Sequence, residues 1–311
     1  MTGLVTRLIV FGVLTAGFVL LATLRVLGND GNRVTAVLLA LTPYWTVGGL
    51  LVGGLALGFR QWWIGGVAMA VAIALVVLVL PRTIPSARAD AHGPKLRIMS
   101  SNQYLGKADV HAVVRLVRDN QVDVLNLLEL TPREVRDFHS AGLFDLLPYT
   151  VLKTVAGSNG SGIASRYPLT ELSLVGPGGM EQPSARIDVA GTPVDVVAVH
   201  PVAPVASAST WKYDLARLPR PDPAGPPRVL AGDFNATLDH AGFRALLGAG
   251  YTDAGDNRGA GLASTWPSGM FPPPVTIDHV LVDPRVAVEG YRVLDVPGSD
   301  HDAVLAELTL P

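Results

Sequence analysis

Again and again after residue 95, an apolar run that reads as a β-strand meets a side chain able to bind a metal or move a proton. LRIMSS ends at Asn102, VDVLNLL delivers Glu129, PVDVVAV runs into His200, and RVLAG runs into Asp233 and Asn235. VTIDHVLV carries Asp278, and Asp300 and His301 directly precede AVLAELTL. Singly, each has an ordinary explanation, because Asp and Asn favour turns and a lone His is more often structural than catalytic. Their recurrence is the signal: strand ends that meet at one rim of a sheet are where loops build sites. The chain has no cysteine, so thiolate ligands, cysteine nucleophiles and disulfides are excluded together, and any metal must sit on oxygen and imidazole.

Strands of this kind alternate with helical patterns, as in a layered sheet-and-helix domain. One helix is expected to start near Asp109, whose carboxylate can cap it, and to place Val113, Val114 and Val117 on one apolar face.

The N-terminal part has another composition. A membrane-spanning helix needs about 20 predominantly apolar residues, and three stretches qualify, at about 8–24, 34–59 and 62–80. Core helices are usually shorter and amphipathic, and a cleaved signal peptide would not be followed by two further spans. Gly48, Gly49, Gly53, Gly54 and Gly58 give the second stretch a small-xxx-small spacing that permits close helix packing, although glycine is common in such helices anyway. The expected division is a membrane anchor over 1–80, a linker over 81–94 and a catalytic domain over 95–311. The linker, PRTIPSARADAHGP, is rich in Pro, Ala and Ser, and its SARADA stretch resembles a small-residue cleavage site.

Six basic and two acidic side chains fall in the first ninety residues, leaving 18 and 24 of the chain's 24 basic and 26 acidic side chains to the rest. A net negative domain argues against gripping long nucleic acid by its phosphates, which needs a basic stripe, although a bound Mg²⁺ can invert the field locally. With three spans, Arg7 and Arg60 lie on one side of the membrane and Arg25, Arg33, Arg82 and Arg88 on the other. That count favours a cytoplasmic domain.

From Leu96 to Leu310 the landmarks resemble the endonuclease/exonuclease/phosphatase superfamily, the DNase I-like fold. They come in family order: SSN ending at Asn102, LLE ending at Glu129, SRYPL from Ser165, His200, GDFN over 232–235, TWP from Thr265, IDHVLV around Asp278, and SDH over 299–301. GDFN followed by IDH and SDH is the specific part. A domain of this type behind three spans is similar to a group of actinobacterial membrane proteins, which places the domain outside the cytoplasm, against the arginine count.

The resemblance implies an α+β fold, a four-layer α/β/β/α sandwich, and metal-assisted in-line hydrolysis of a phosphate ester. It implies Asn102, Glu129 and Asp300 as metal ligands, with Mg²⁺ preferred and Mn²⁺ the alternative. Asp233 would orient or deprotonate the attacking water, and Asn235 would donate to the charge building on phosphorus. His301, held by Asp278, would contact the scissile phosphate, and His200 would be a second phosphate-facing imidazole. Arg166 is a phosphate contact or one half of an ion pair beside the site. Two departures stand out: Asp302 and Ala303 follow SDH where relatives carry a basic or polar residue and then proline, and the segment before GDFN is short and proline-rich.

The expected function is a multi-pass, membrane-anchored phosphoesterase acting on a phosphate or pyrophosphate at the membrane surface, with a lipid-linked envelope intermediate as the favoured substrate and membrane lipids as partners. The alternatives are a membrane-tethered nuclease and an inactive binding protein that kept the fold.

Overall fold

The computed structural model describes residues 2–269, 271 and 273–311. Four helices open the chain: α1 (Thr2–Leu27), α2 (Arg33–Ala40), α3 (Thr42–Gly58) and α4 (Trp62–Val79). Gly3–Leu27 and Trp62–Thr83 are each long and apolar enough to cross a membrane. The stretch read as one span over 34–59 is instead divided, with α2 and α3 bent by 69° at Leu41. Pro43 lies in the first turn of α3, where its missing N–H costs nothing but where it cannot continue a preceding helix. Thr42 Oγ1 and the Trp45 indole N–H donate to the Leu39 and Leu38 carbonyls, at 2.7 and 2.9 Å, and close the bend. Of the glycines singled out, Gly49 abuts the Phe18 ring and Gly53 abuts the backbone of Met69, whereas Gly48, Gly54 and Gly58 face open space. Close approach therefore rests on the Gly49/Gly53 pair, a small-xxx-small spacing.

Two six-stranded sheets follow. The first runs β11 (Ala287–Leu294), β12 (Ala303–Thr309), β1 (Lys95–Asn102), β2 (Val124–Leu128), β4 (Ser161–Ser165), β3 (Tyr149–Lys153). The second runs β5 (Leu169–Leu172), β6 (Ser184–Val189), β7 (Thr192–Val199), β8 (Arg228–Asp233), β10 (Asp278–Val282), β9 (Thr252–Asp253). Successive side chains of a strand point to opposite faces, and the strands use both. Ile98, Val196, Ala198 and Val304 meet between the sheets. Met99, Leu125, Leu127 and Leu305 turn outward onto α5 (Val110–Asp119), α6 (Pro132–Ser140) and α7 (Leu143–Leu146). Val197, Val199, Leu230 and Leu281 turn outward onto α8 (Pro204–Arg217) and α9 (Ala241–Gly248). A short α10 (Ala254–Asn257) closes one edge. The result is the α/β/β/α sandwich, and each fully buried Val, Leu or Phe in it contributes about 1.5–3 kcal/mol. Asp109 caps α5 as expected, accepting from the His111 and Ala112 N–H groups at 2.9 and 3.2 Å.

Strand direction explains why the polar residues converge. Each sheet is antiparallel except for one central parallel pair, β1/β2 and β7/β8. The carboxyl ends of these four strands therefore share one rim and carry Asn102, Glu129, His200 and Asp233. The antiparallel neighbours β12 and β10 must begin at that same rim, which brings in His301 and Asp278. Cα of Asp278 is in register with that of Asp233.

Residues 81–94 do not hang free. Ser86 N donates to Asn257 O at 2.9 Å, Asn257 Nδ2 donates to Ser86 Oγ and Ala87 O, and Gly93 N donates to Leu310 O. Arg82 is buried. Its guanidinium grips Asp239 through both nitrogens, at 2.8 and 2.7 Å, while Arg25, near the end of α1, reaches the same carboxylate at 2.6 Å. These contacts hold the apolar helices against the domain, and they hold the Asp239 carboxyl below its usual range despite its burial.

Glu134 is a buried acid whose carboxyl shifts the other way. It lies in the first turn of α6, with Thr131 as the cap. Burial pushes its carboxyl up to about 8, against the lowering effect of the Thr131 backbone N–H. An acid whose folded pKa is raised binds more protons folded than unfolded, so stability should fall as pH rises from about 4.5 to 8. In thermal melts, Glu134→Gln is expected to flatten that slope, gaining on the wild type by about 2–4 kcal/mol at pH 8 and by less than about 1 kcal/mol at pH 5. Parallel slopes in the two proteins would remove Glu134 as the cause.

Candidate active site

The rim residues form one buried cluster. Asn102 Nδ2 lies 3.4 Å from Glu129 Oε1 and 3.3 Å from Asp233 Oδ2. Its Oδ1 accepts from Tyr104 N at 3.0 Å, which fixes the amide so that its NH₂ faces the carboxylates. Glu129 Oε2 accepts from Leu105 N at 2.9 Å. Asp233 Oδ1 accepts from Asn235 N at 2.8 Å, and Asn235 Nδ2 reaches Pro201 O at 3.2 Å. Glu129 and Asn235 both have left-handed backbone, φ 55° and 49°. That geometry costs a non-glycine residue on the order of 1 kcal/mol or more and persists where the surroundings enforce it, as at functional sites.

Two histidines face the cluster in different states. His301 Nδ1 is 2.9 Å from Asp278 Oδ2, and its Nε2 is 3.8 Å from Asp233 Oδ2. Burial alone would lower its pKa, but Asp278 and Asp233 carry it up to about 10, so the ring is cationic at neutral pH. His200 is driven down to about 3 by burial and by repulsion from His301, and stays neutral. Its Nε2 stands 3.9 Å from Asp233 and 4.0 Å from Glu129. Burial raises Glu129, and it lifts Asp233 to about 7, with Asp278 and Glu129 adding repulsion and His301 opposing it.

The structure thus brings Asn102, Glu129, His200, Asp233, Asn235, Asp278 and His301 into one cluster. Asp300 joins from the edge, its Oδ2 accepting from the Trp266 indole at 3.2 Å. Among the described residues, one group of three acidic or imidazole side chains converges as metal ligands do: Asp233, Asp278 and His301, with ligand atoms within 4.8 Å of one another. This is not the Asn102/Glu129/Asp300 set named from the sequence. Arg166 is absent from the rim. It pairs with Asp123 at 3.4 Å, at the opposite end of β2 from Glu129, so it is neither a phosphate contact nor an ion pair beside the site.

Several positioning residues were not assigned a role from the sequence. Thr265 Oγ1 accepts from Ile277 N and Asp278 N, at 3.0 Å each, and seats the start of β10. Ser299 Oγ donates to Asn102 O at 2.8 Å and accepts from His301 N at 3.0 Å, stapling β1 to the segment before β12. Both lie within landmarks already marked, TWP and SDH. Gln182, whose Oε1 accepts from His200 N, belongs to no such motif.

The cluster opens into a cavity of about 750 Å³. Glu129, Asp233 and His301 line it, and so do Val37, Ala40 and Leu41, from α2 and the bend after it. The same N-terminal segment also touches the loop after β8 that carries Asn235. His240 Nδ1 accepts from Thr237 N, so its Nε2–H donates to Ala36 O at 2.9 Å, and Asp239 is the residue gripped by Arg25 and Arg82.

A two-sheet sandwich with carboxylates, amides and imidazoles gathered at the rim is the DNase I-like arrangement. The model of the endonuclease/exonuclease/phosphatase family matches residues 99–301, and the chain belongs to that family. No curated protein matches it. Among solved structures it is similar to an endonuclease/exonuclease/phosphatase from Beutenbergia cavernae, at 20% identity over 70% of this chain and 72% of that one, with a TM-score of 0.56. It is similar to D. rerio TDP2 complexed with a single-strand DNA product, at 17% identity over 69% and 99%, TM-score 0.56. It is also similar to a beta toxin from Staphylococcus aureus with bound magnesium ions, at 16% identity over 68% and 99%, TM-score 0.53.

Proposed function

We propose that the protein is a membrane-anchored, divalent-metal-dependent phosphoesterase that hydrolyses a lipid-linked phosphate or pyrophosphate at the membrane surface, on its extracytoplasmic side. The observation that carries this reading is the buried Arg25–Asp239–Arg82 clasp, which fixes the catalytic rim beside helices apolar enough to cross a bilayer. Tethering raises the local concentration of a membrane-bound substrate, and the domain's excess of acidic side chains disfavours DNA.

The donor set suits a hard cation. Three carboxylates, Glu129, Asp233 and Asp278, crowd around one imidazolium, and their mutual repulsion is what a bound cation relieves. His301 is protonated and tied to Asp278, so Glu129 and Asp300 remain the better ligands for Mg²⁺ or Mn²⁺, joined by Asn102 only if its amide turns Oδ1, which accepts from Tyr104 N, toward the ion. The magnesium in the beta toxin structure supports that choice. When bound, the ion supplies charge neutralisation at a phosphoryl oxygen and at the departing oxyanion.

The protein's own groups divide the remaining work. Asp233, with a carboxyl lifted to about 7, is matched to accept a proton from the attacking water near neutral pH. Asn235 donates its amide N–H to the equatorial oxygens, where charge builds. Cationic His301, oriented by Asp278, holds the scissile phosphate, and neutral His200 donates from the opposite side.

The test uses the full chain in detergent, because the domain is clasped by its helices. EDTA is expected to abolish hydrolysis of a lipid pyrophosphate and Mg²⁺ to restore it, with plasmid DNA left intact. Undiminished turnover in EDTA would sink the metal-dependent reading, and cleavage of DNA in preference to the lipid would convert the protein into a membrane-tethered nuclease.

A further inference from the structure

The cavity at the catalytic rim has two kinds of wall, polar and apolar. A phosphate needs only the rim, yet the half-open cavity measures about 750 Å³, in the size range of sites for drug-sized molecules. The apolar wall includes Val37, Ala40, Leu41, Val205 and Ile277. On α2, Ala36 and Leu39 are buried, and Ala36 packs in the cluster of Trp211 and Phe234. Val37 stays 43% exposed and Val34 64% exposed. This short helix thus attaches by one face and leaves an apolar face to the cavity and its surroundings.

Its placement says what covers that face. Taking α3 as crossing a bilayer, the 69° bend lays α2 along the membrane surface rather than through it. Tyr44, in the first turn of α3, donates its hydroxyl to Pro274 O at 2.7 Å, tying the loop that carries Phe271, 89% exposed, to the same membrane-side end. The α2 wall of the cavity therefore lies where hydrocarbon begins, while the catalytic carboxylates line the same cavity.

Resting on the phosphoesterase reading above, we propose that α2 is a chain-binding subsite: the first segment of the substrate's hydrocarbon chain lies against Val37, Ala40 and Leu41 while its phosphate occupies the rim. The chain stays partly in the bilayer, and the substrate need not leave the membrane to react. α2 then selects single or slender apolar chains and rejects water-soluble phosphate esters, which would leave these side chains hydrated.

The experiment uses full-length protein in bilayer nanodiscs and a hexadecyl phosphonate carrying a diazirine near the headgroup. Photolysis is expected to label residues of α2 or the Leu41 bend, and excess ethyl phosphonate, which can fill only the rim, should suppress that labelling. Each methylene seated against protein is worth up to about fourfold in affinity, the equivalent of about 0.8 kcal/mol. Ala40→Trp, which fills the subsite, should therefore cut the labelling by about tenfold or more. Val37→Asn, at a half-exposed position with little to lose in folding, should act in the same direction. Labelling confined to the outer faces of α1 and α4, or labelling that ethyl phosphonate does not compete, would overturn the subsite. Competed labelling of α2 without any metal-dependent turnover would keep the subsite and overturn the phosphoesterase reading instead.

Discussion

Replacing Asp233 with asparagine is expected to lower kcat by about two to four orders of magnitude while leaving the fold intact or slightly more stable. The substitution preserves shape and one acceptor, so the bond from Asn235 N at 2.8 Å can survive. It removes the basic oxygen. It also removes a carboxylate that is desolvated and repelled by Asp278 and Glu129, the reason its pKa stands near 7. Activity and stability should therefore move apart: turnover of the lipid pyrophosphate collapses while the thermal midpoint at pH 8 holds or rises. A loss of activity that merely tracks a loss of folded protein would mean that Asp233 is structural.

The second large effect lies away from the chemistry. Asp239→Ala leaves the Arg25 and Arg82 guanidiniums buried without their shared counter-ion. Breaking one partner of a buried ion pair costs about 3–5 kcal/mol, more than the pair itself contributes relative to an apolar replacement. The expected result is a full-length protein that melts markedly earlier in detergent, with hydrolysis weakened as well, because Asp239 sits on the loop that carries Asn235. An unchanged melting temperature would show that the clasp adds no stability.

Much of the site was legible because strand ends announce themselves. An apolar run stopping at Asn102, Glu129, His200 or Asp233 needs no tertiary knowledge to be noticed, and the central parallel pairs make those four ends coincide. The capped start of α5 at Asp109 was legible for the same local reason. What escaped notice depends on contacts distant in the chain. Nothing near Asp239 in sequence says that it will meet Arg25 and Arg82, and nothing in the apolar run over 34–59 says that its first third will bend away from the rest by 69°. Periodicity sees hydrophobicity but not whether lipid or protein covers it. Nothing around Glu134 in sequence says that the packing of α6 will bury its carboxyl. Arg166 failed as a phosphate contact because β4 runs antiparallel to β2, which carries the residue after it to the wrong rim.

The position of β12 between β1 and β11 has a consequence for biosynthesis. β1 is the first strand of the domain to be made, and its antiparallel partner is the last. Until that partner emerges, one flank of β1 stays open and His301 is missing from the rim. The pairing is as non-local as the domain allows, which favours slow closure and a long-lived exposed edge. On the proposed function, a nascent chain is therefore inactive until the last strand of its domain is made.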